Sequence, residues 1–192
     1  GTLWFEEFLR DEIRMRRVFE TFLRNFYASK LNHAKVGSRR NVLTELDVFD
    51  GKFSLIPRLN TDITIDCNSG SKIVVDAKFT GRPINNFYGK DMLRSDHIYQ
   101  IRTYVGDAQL AEPSREVHGI VIYPEVTKKI DVTFRYASAC YRFTTVDFSL
   151  SWIQSLNFSF QDSLSLNLGW SFLTNKKLSI TRTSISVLIK QL

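Results

Sequence analysis

Two stretches decide the fold: RLNTDITID (Arg58–Asp66) and KIVVDAKF (Lys72–Phe79), joined by CNSGS (Cys67–Ser71). Side chains two residues apart on a strand share a face. In the second stretch Ile73, Val75, Ala77 and Phe79 therefore line one side, and Val74, Asp76 and Lys78 the other. In the first, Ile63 and Ile65 alternate with Asp62, Thr64 and Asp66. The linking residues are turn formers, and Gly70 is free to take a positive φ, so the two strands read as a hairpin. A turn centred on Ser69 pairs 66 with 72, 64 with 74 and 62 with 76, which sets Asp62 opposite Asp76.

Facing carboxylates, roughly 5 Å apart across a ladder, repel one another. A cation between them removes the conflict. Magnesium suits such an edge, because it takes one or two carboxylates, several waters and phosphate oxygens. Lys78 then lies beside the ion, where an ammonium can hold an attacking water or counter charge building on a phosphate. On spacing alone, Asp62, Asp66 and Lys78 equally fit a solvated face.

The surrounding sequence reads as an α/β chain. Apolar residues at helical spacing, among them Phe8, Val18, Phe19, Phe22, Leu23 and Phe26, predict a first helix over Thr2–Leu31, followed by a loop at Gly37-Ser38. Strands are expected at Val42–Phe49, Thr61–Asp66 and Lys72–Phe79, and then a loop from Gly81 to Gly89 at the border of the cleft. A helix capped by Ser95 or Asp96 is expected to reach Val105. Further strands are expected at Val117–Tyr123, closed by Pro124, at Ile130–Tyr136 and at Tyr141–Val146.

The length of 192 residues suffices for one sizeable core. There are 26 Lys and Arg against 20 Asp and Glu, a net charge of +6, and the pI is near 9.4. This balance favours a polyanionic partner. Lys35, Arg39 and Arg40 are candidate phosphate contacts to DNA, of the kind that position it without reading its sequence; a solvated loop after the first helix is the other account of them. Cys67 and Cys140 lack ligand spacing and fit a reducing compartment, and His33, His97 and His118 are too scattered for zinc. No stretch approaches twenty apolar residues and no cleavable signal is visible, so a soluble, cytoplasmic protein is expected. No phosphate-binding loop of the G-x-x-x-x-G-K-[ST] kind is present.

Five stretches occur in a telling order: RRVFETFLRNFY (Arg16–Tyr27), IPRLNTDITI (Ile56–Ile65), KIVVDAKF (Lys72–Phe79), HIYQIRTYV (His97–Val105) and GIVIYP (Gly119–Pro124). Together they resemble the PD-(D/E)XK nuclease superfamily, and within it the McrC-type subunits of 5-methylcytosine-dependent restriction systems. The resemblance covers about residues 5 to 155 and implies a restriction-endonuclease-like core, a central mixed sheet flanked by helices. It implies that Asp62 and Asp76 bind Mg²⁺, with Mn²⁺ as the alternative, and that Lys78 is the catalytic lysine. It further implies that Glu20 supports the metal or its water from the first helix, and that Gln100 and Tyr104 complete the site from the later one. The implied reaction is endonucleolytic: water attacks phosphorus and leaves a 3′-hydroxyl and a 5′-phosphate. One departure is Phe79-Thr80, where relatives often carry Tyr after the lysine.

Each helper has a plainer explanation. Glu20 has Arg16 and Arg24 four residues to either side, the spacing of ordinary helical ion pairs. Gln100 and Tyr104 share a helix flank with His97 and need be no more than satisfied polar groups. The implied partners are DNA and an McrB-like AAA+ GTPase ring, engaged through a segment before the nuclease domain. Since the chain starts at Gly1 with Trp4-Phe5 already in the helix, it reads as a piece of a longer polypeptide without that segment. Residues 1–155 are assigned to the nuclease domain. Residues 156–192 form an atypical Ser/Leu-rich extension of uncertain structure; from Ser151 on, four basic residues stand against one acid, Asp162. Two rival functions remain open: a RecB-like repair or exonuclease domain, which Gln100-x-x-x-Tyr104 also fits, and a catalytically silent DNA-binding module.

Overall fold

The computed structural model describes residues 12–41, 43, 46–125 and 128–146. Its first element is helix α1 (Glu12–Lys30); the expected stretch Thr2–Asp11 lies outside the described residues. After it come strands β1 (Ala34–Gly37), β2 (Arg40–Asn41) and β3 (Leu59–Asn60), then the hairpin β4 (Ile63–Cys67) and β5 (Lys72–Ala77). A second hairpin, β6 (Ile84–Phe87) and β7 (Lys90–Leu93), precedes helix α2 (Ser95–Ala111). The described chain closes with β8 (Val117–Pro124), β9 (Asp131–Tyr136) and β10 (Ala139–Val146).

Six strands form one mixed sheet in the order β1-β4-β5-β8-β10-β9. β5, β8 and β10 run parallel, and the remaining pairs are antiparallel. The parallel step from β5 to β8 needs a crossover, which α2 supplies. The β4–β5 register follows the expected one along the ladder, Ile63 with Val75, Thr64 with Val74, Ile65 with Ile73 and Asp66 with Lys72, but the strand begins at Ile63, so the expected pair of Asp62 with Asp76 falls one residue beyond it. Gly70 takes φ 97° in the turn, and its N–H donates to the Cys67 carbonyl at 2.9 Å.

Each face of the sheet is covered by one helix. Phe19, Leu23, Phe26 and Tyr27, at helical spacing on α1, pack on Ile63, Ile65, Ile73, Val75, Ala77 and Ile122. Ile101, Tyr104, Val105 and Ala108 of α2 pack on Val74, Val121, Tyr123, Tyr141 and Phe143. Strand β5 is buried along its whole length, as a central strand in a three-layer arrangement should be. Gly119 lets α2 approach: a Cβ there would lie 2.7 Å from Ile101 Cγ1 and 2.9 Å from Tyr141 Cδ1. Among the described residues no helix is long and apolar enough to cross a membrane.

Several expectations are corrected. The strand at Val42–Phe49 does not form at its described positions, Leu43 and 46–49. Strand β1, on residues assigned to a loop, already occupies the open edge of β4, so the later stretch has no partner there, and Phe49 is almost wholly exposed. The loop at Gly81–Gly89 contains β6 and the tip of the second hairpin. Helix α2 runs on to Ala111 because Asp107 and Ala108 are buried beyond Gly106. Its cap position is Arg94, with no side-chain cap; the Asp96 carboxylate instead accepts from Arg94 Nη2 at 2.7 Å and Nε at 3.1 Å. The Ser/Leu-rich stretch 156–192 lies outside the described residues.

Candidate active site

Asp76 stands near the end of β5, between β4 and β8, and is only 2% exposed. Two residues on, the Lys78 N–H donates to the Ile122 carbonyl at 2.9 Å, prolonging the β5–β8 ladder and fixing the base of the side chain. Lys78 Nζ lies 3.0 Å from Asp76 Oδ1, to which it donates, and 2.9 Å from Oδ2. Oδ2 is buried and makes no hydrogen bond of its own, so its burial is offset by the charge of the Lys78 ammonium 2.9 Å away.

Asp62 lies one residue ahead of β4, and its Oδ2 accepts a 2.8 Å hydrogen bond from the N–H of Ala77. Burial, then the charges of Asp76 and Glu20, push its carboxyl up to about 7, against the opposing pull of the Ala77 N–H and Lys78. The charge of Asp76 thus acts on Asp62 in the direction the facing strands imply. Glu20, on α1, has its carboxyl raised chiefly by burial; Arg16 and Lys78 pull it down, and Asp76 pushes it up. Both readings of Glu20 meet here, since it feels the flanking arginine and the strand-end charges together.

From the other face, Gln100 Nε2 donates to Tyr104 Oη at 2.7 Å. With its oxygen accepting from Gln100, the tyrosine retains its own O–H to donate elsewhere. Burial raises the Tyr104 hydroxyl's pKa, and the fields of Asp76, Asp62 and Glu20 add to the effect. Glu20, Asp62, Asp76, Lys78 and Tyr104 thus act on one another electrostatically, and Gln100 joins through Tyr104.

The basic candidates separate. The Arg39 N–H donates to Thr61 Oγ1 at 3.1 Å, and the Thr61 N–H donates to the Arg39 carbonyl at 3.1 Å, which sets Arg39 beside Asp62. Arg39 Nη1 is buried without a hydrogen-bond partner. Lys35 is not in a loop but on β1, exposed and paired with Asp66 at the opposite end of β4. Arg40 pairs with Asn60 through β2 and β3.

Two neighbours went unassigned in the sequence. His97 Nδ1 lies 2.9 Å from Tyr123 Oη, and both residues are buried. Burial lowers the His97 pKa and raises that of Tyr123, and both groups feel Asp76. The fold brings them to the site: extending the β5–β8 register, in which Ala77 pairs with Ile122, places Tyr123 level with Lys78.

Among the described residues, no three His, Cys, Asp or Glu side chains close around a point where they could hold a metal by themselves. Magnesium does not require three, since water and substrate oxygens complete its octahedron. The hard oxygen donors of Asp62 and Asp76, with Asp76 Oδ2 buried and short of a hydrogen bond, fit such an ion. The geometry defines an α/β protein with paired acids and a lysine at one end of its central strand.

No family model matches the chain. It is 27% identical over 153 residues to the type IV methyl-directed restriction enzyme EcoKMcrBC of Escherichia coli (strain K12), a match covering 79% of this chain and 43% of that protein. The chain therefore spans less than half the length of this relative. In fold it is similar to a chain in the refined half-complex from the tetradecameric assembly of Thermococcus gammatolerans McrB AAA+ hexamers with bound McrC. That likeness has a TM-score of 0.50 and 13% identity, covering 76% of this chain and 33% of the other. The chain is thus similar in sequence to a methyl-directed McrBC restriction enzyme and in fold to a chain of an McrB–McrC assembly.

Proposed function

We propose that this chain is the DNA-cutting part of a modification-dependent restriction system: a Mg²⁺-dependent endonuclease with a PD-(D/E)XK core, working with an McrB-like GTPase ring. The observation that carries this reading is the strand-end trio. Asp76 is buried with one oxygen lacking a hydrogen bond, Lys78 Nζ lies within 3.0 Å of it, and Asp62 is tied to the amide between them. The relationship to an enzyme named for methyl-directed restriction supports the substrate class.

Asp62 and Asp76 would hold the ion, and Glu20 would bind its water. When bound, Mg²⁺ supplies Lewis-acid activation of a phosphate and lowers the pKa of a bound water. Lys78 then faces the scissile phosphate, where its ammonium offsets charge developing on the phosphoryl oxygens. Tyr104, oriented by Gln100, has a hydroxyl proton to give to the same phosphate. Arg39 holds a neighbouring phosphate with its unpaired guanidinium nitrogen. Water attacks phosphorus and the P–O3′ bond breaks, leaving a 3′-hydroxyl and a 5′-phosphate.

Nicking of supercoiled plasmid tests the reading. Wild type should nick with Mg²⁺ and not with EDTA, and Asp76→Ala should be inactive; full activity of that variant would remove the site. The Gln100–Tyr104 hydrogen bond also suits a RecB-like exonuclease. Inactivity on covalently closed circles together with degradation of linear DNA would favour that second reading.

A further inference from the structure

The β6–β7 hairpin stands in the chain directly between Lys78 and the helix that carries Gln100 and Tyr104. Its register pairs Ile84 with Leu93, Asn85 with Met92, Asn86 with Asp91 and Phe87 with Lys90. One face therefore bears Ile84, Asn86, Asp91 and Leu93, and the other Asn85, Phe87, Lys90 and Met92. The first face is anchored. Ile84 and Leu93 pack against the core under α2, Asn86 Nδ2 donates to Asp91 Oδ1 at 3.1 Å, and Lys128 pairs with Asp91. The second face is bare: Phe87 is 60% exposed and Met92 54%.

At the tip, Tyr88 has φ 49° and Gly89 φ 77°. Positive φ at both central residues is the type I′ turn of two-residue hairpins, which favours Asn-Gly. A bulky residue in that conformation is strained, and packing does not explain it, since Tyr88 is 98% exposed and touches Phe87 edge-on. An aromatic side chain is thus held out in solvent at a position where Asn would fold more readily.

We propose that this hairpin is a DNA wedge, whose Phe87, Tyr88 and Met92 enter the minor groove of duplex lying at the Asp62–Lys78 site and part a base step. The inference rests on the nuclease reading. Four-residue strands reach about 13 Å, more than the roughly 7.5 Å depth of the minor groove. Apolar side chains inserted between base steps kink the duplex, and Lys90 lies on the inserting face. Charge favours DNA over a second copy of the chain. Asp91 is neutralised by Lys128, so the exposed Arg82, Lys90 and Lys129 leave the hairpin and its surroundings cationic. A two-fold contact through this face would bring like charges together.

Tyr88→Asn tests the wedge without endangering the fold, because it installs the residue the turn prefers; its melting temperature should equal or exceed that of wild type. Binding is measured with the full chain in EDTA, on duplexes carrying 2-aminopurine at successive positions. Wild type should raise the fluorescence at one step. Tyr88→Asn should abolish that rise and bind at least tenfold more weakly with an unchanged salt slope, since the phosphate-contacting cations remain. If wild type binds and nicks duplex but Tyr88→Asn does both equally well, the wedge is wrong and the nuclease reading survives. If wild type binds no duplex and cuts none, the nuclease reading fails and takes the wedge with it. If the substitution turns a dimer into a monomer at unaltered DNA affinity, the face joins copies of the chain and the wedge is overturned.

Discussion

The Asp62 carboxylate reaches across the hairpin and accepts a 2.8 Å hydrogen bond from the backbone N–H of Ala77, the residue between Asp76 and Lys78. One backbone amide thus holds the two acids in a fixed relation without neutralising either, and the repulsion is kept within the folded protein.

That repulsion should be visible as a pH effect. Burial and the neighbouring acids push the Asp62 carboxyl up to about 7 in the folded chain, against about 3.9 when unfolded, so the folded state binds the extra proton. Its contribution to stability is fully present below pH 4 and is lost as pH rises toward and through 7, with a slope of at most about 1.4 kcal/mol per pH unit. His97 and His118 act oppositely, because burial lowers both and their stability is lost as pH falls below the usual histidine range. The comparison of wild type with Asp62→Asn in denaturant melts isolates the acid: without metal, the variant should gain on wild type steadily between pH 4 and 7.5. Parallel curves would contradict the assignment.

Lys78 should show two separable roles. Lys78→Ala leaves Asp76 buried and unpaired, so it should lose stability on the order of 3 kcal/mol along with about 10²- to 10³-fold in nicking rate. Lys78→Arg keeps the charge pair, so it should recover the melting temperature but not the rate, because a guanidinium cannot take the place of an ammonium point charge. Stopped assays on plasmid, paired with thermal melts, read both.

Magnesium should raise the melting temperature of wild type more than that of Asp76→Asn, because a ligand that binds only the native state stabilises by an amount that grows with its affinity, as RT ln(1 + [L]/Kd). Equal shifts in the two proteins would count against a shared ion.

Gly119→Ala probes the helix rather than the chemistry. The added methyl meets Ile101, Tyr141 and Val105 within 3.1 Å, which should cost about 1–3 kcal/mol and push α2 away from the sheet. Nicking should fall as Gln100 and Tyr104 move with it.

Affinity for DNA should fall steeply with salt and change little with cytosine methylation, since contact through Arg39 and scattered lysines reads phosphate rather than base. Matched methylated and unmethylated duplexes across a salt series provide the check. A tenfold preference for the methylated duplex, about 1.4 kcal/mol, would show that the chain reads the mark itself.

The sequence made the β4–β5 register legible because alternation on both strands and a five-residue turn admit few pairings, and the observed pairs agree with it. Arg39 and Lys35 look alike in sequence, yet β1 sets Lys35 opposite Asp66, while the chain beyond β1 brings Arg39 beside Thr61 at the other end of β4. Nothing local could separate them, because β1 is a four-residue edge strand held by its neighbour rather than by its own propensity. The second hairpin is not legible in the sequence for a related reason. Asn85, Asn86 and Asp91 are poor strand residues, and its two-residue loop is Tyr-Gly rather than Asn-Gly. His97 and Tyr123 meet across 26 positions of sequence, a contact that only the β5–β8 register brings about.

The other end of β5 is built differently. There Lys72 pairs with Glu112 and lies 3.4 Å from Asp66, while Arg115 contacts Asp66 at 2.7 Å and Glu112 at 2.8 Å and donates to the carbonyls of Gly70 and Ser71. One six-residue strand therefore has a compensated pole and a frustrated pole. The compensated pole ties the turn, the end of α2 and the start of β8 together, so the opposite end can hold mutually repelling groups without the sheet coming apart. Residues at the acidic pole are then free to vary with the demands of chemistry, whereas a change at Arg115 should register in stability and scarcely at all in cutting.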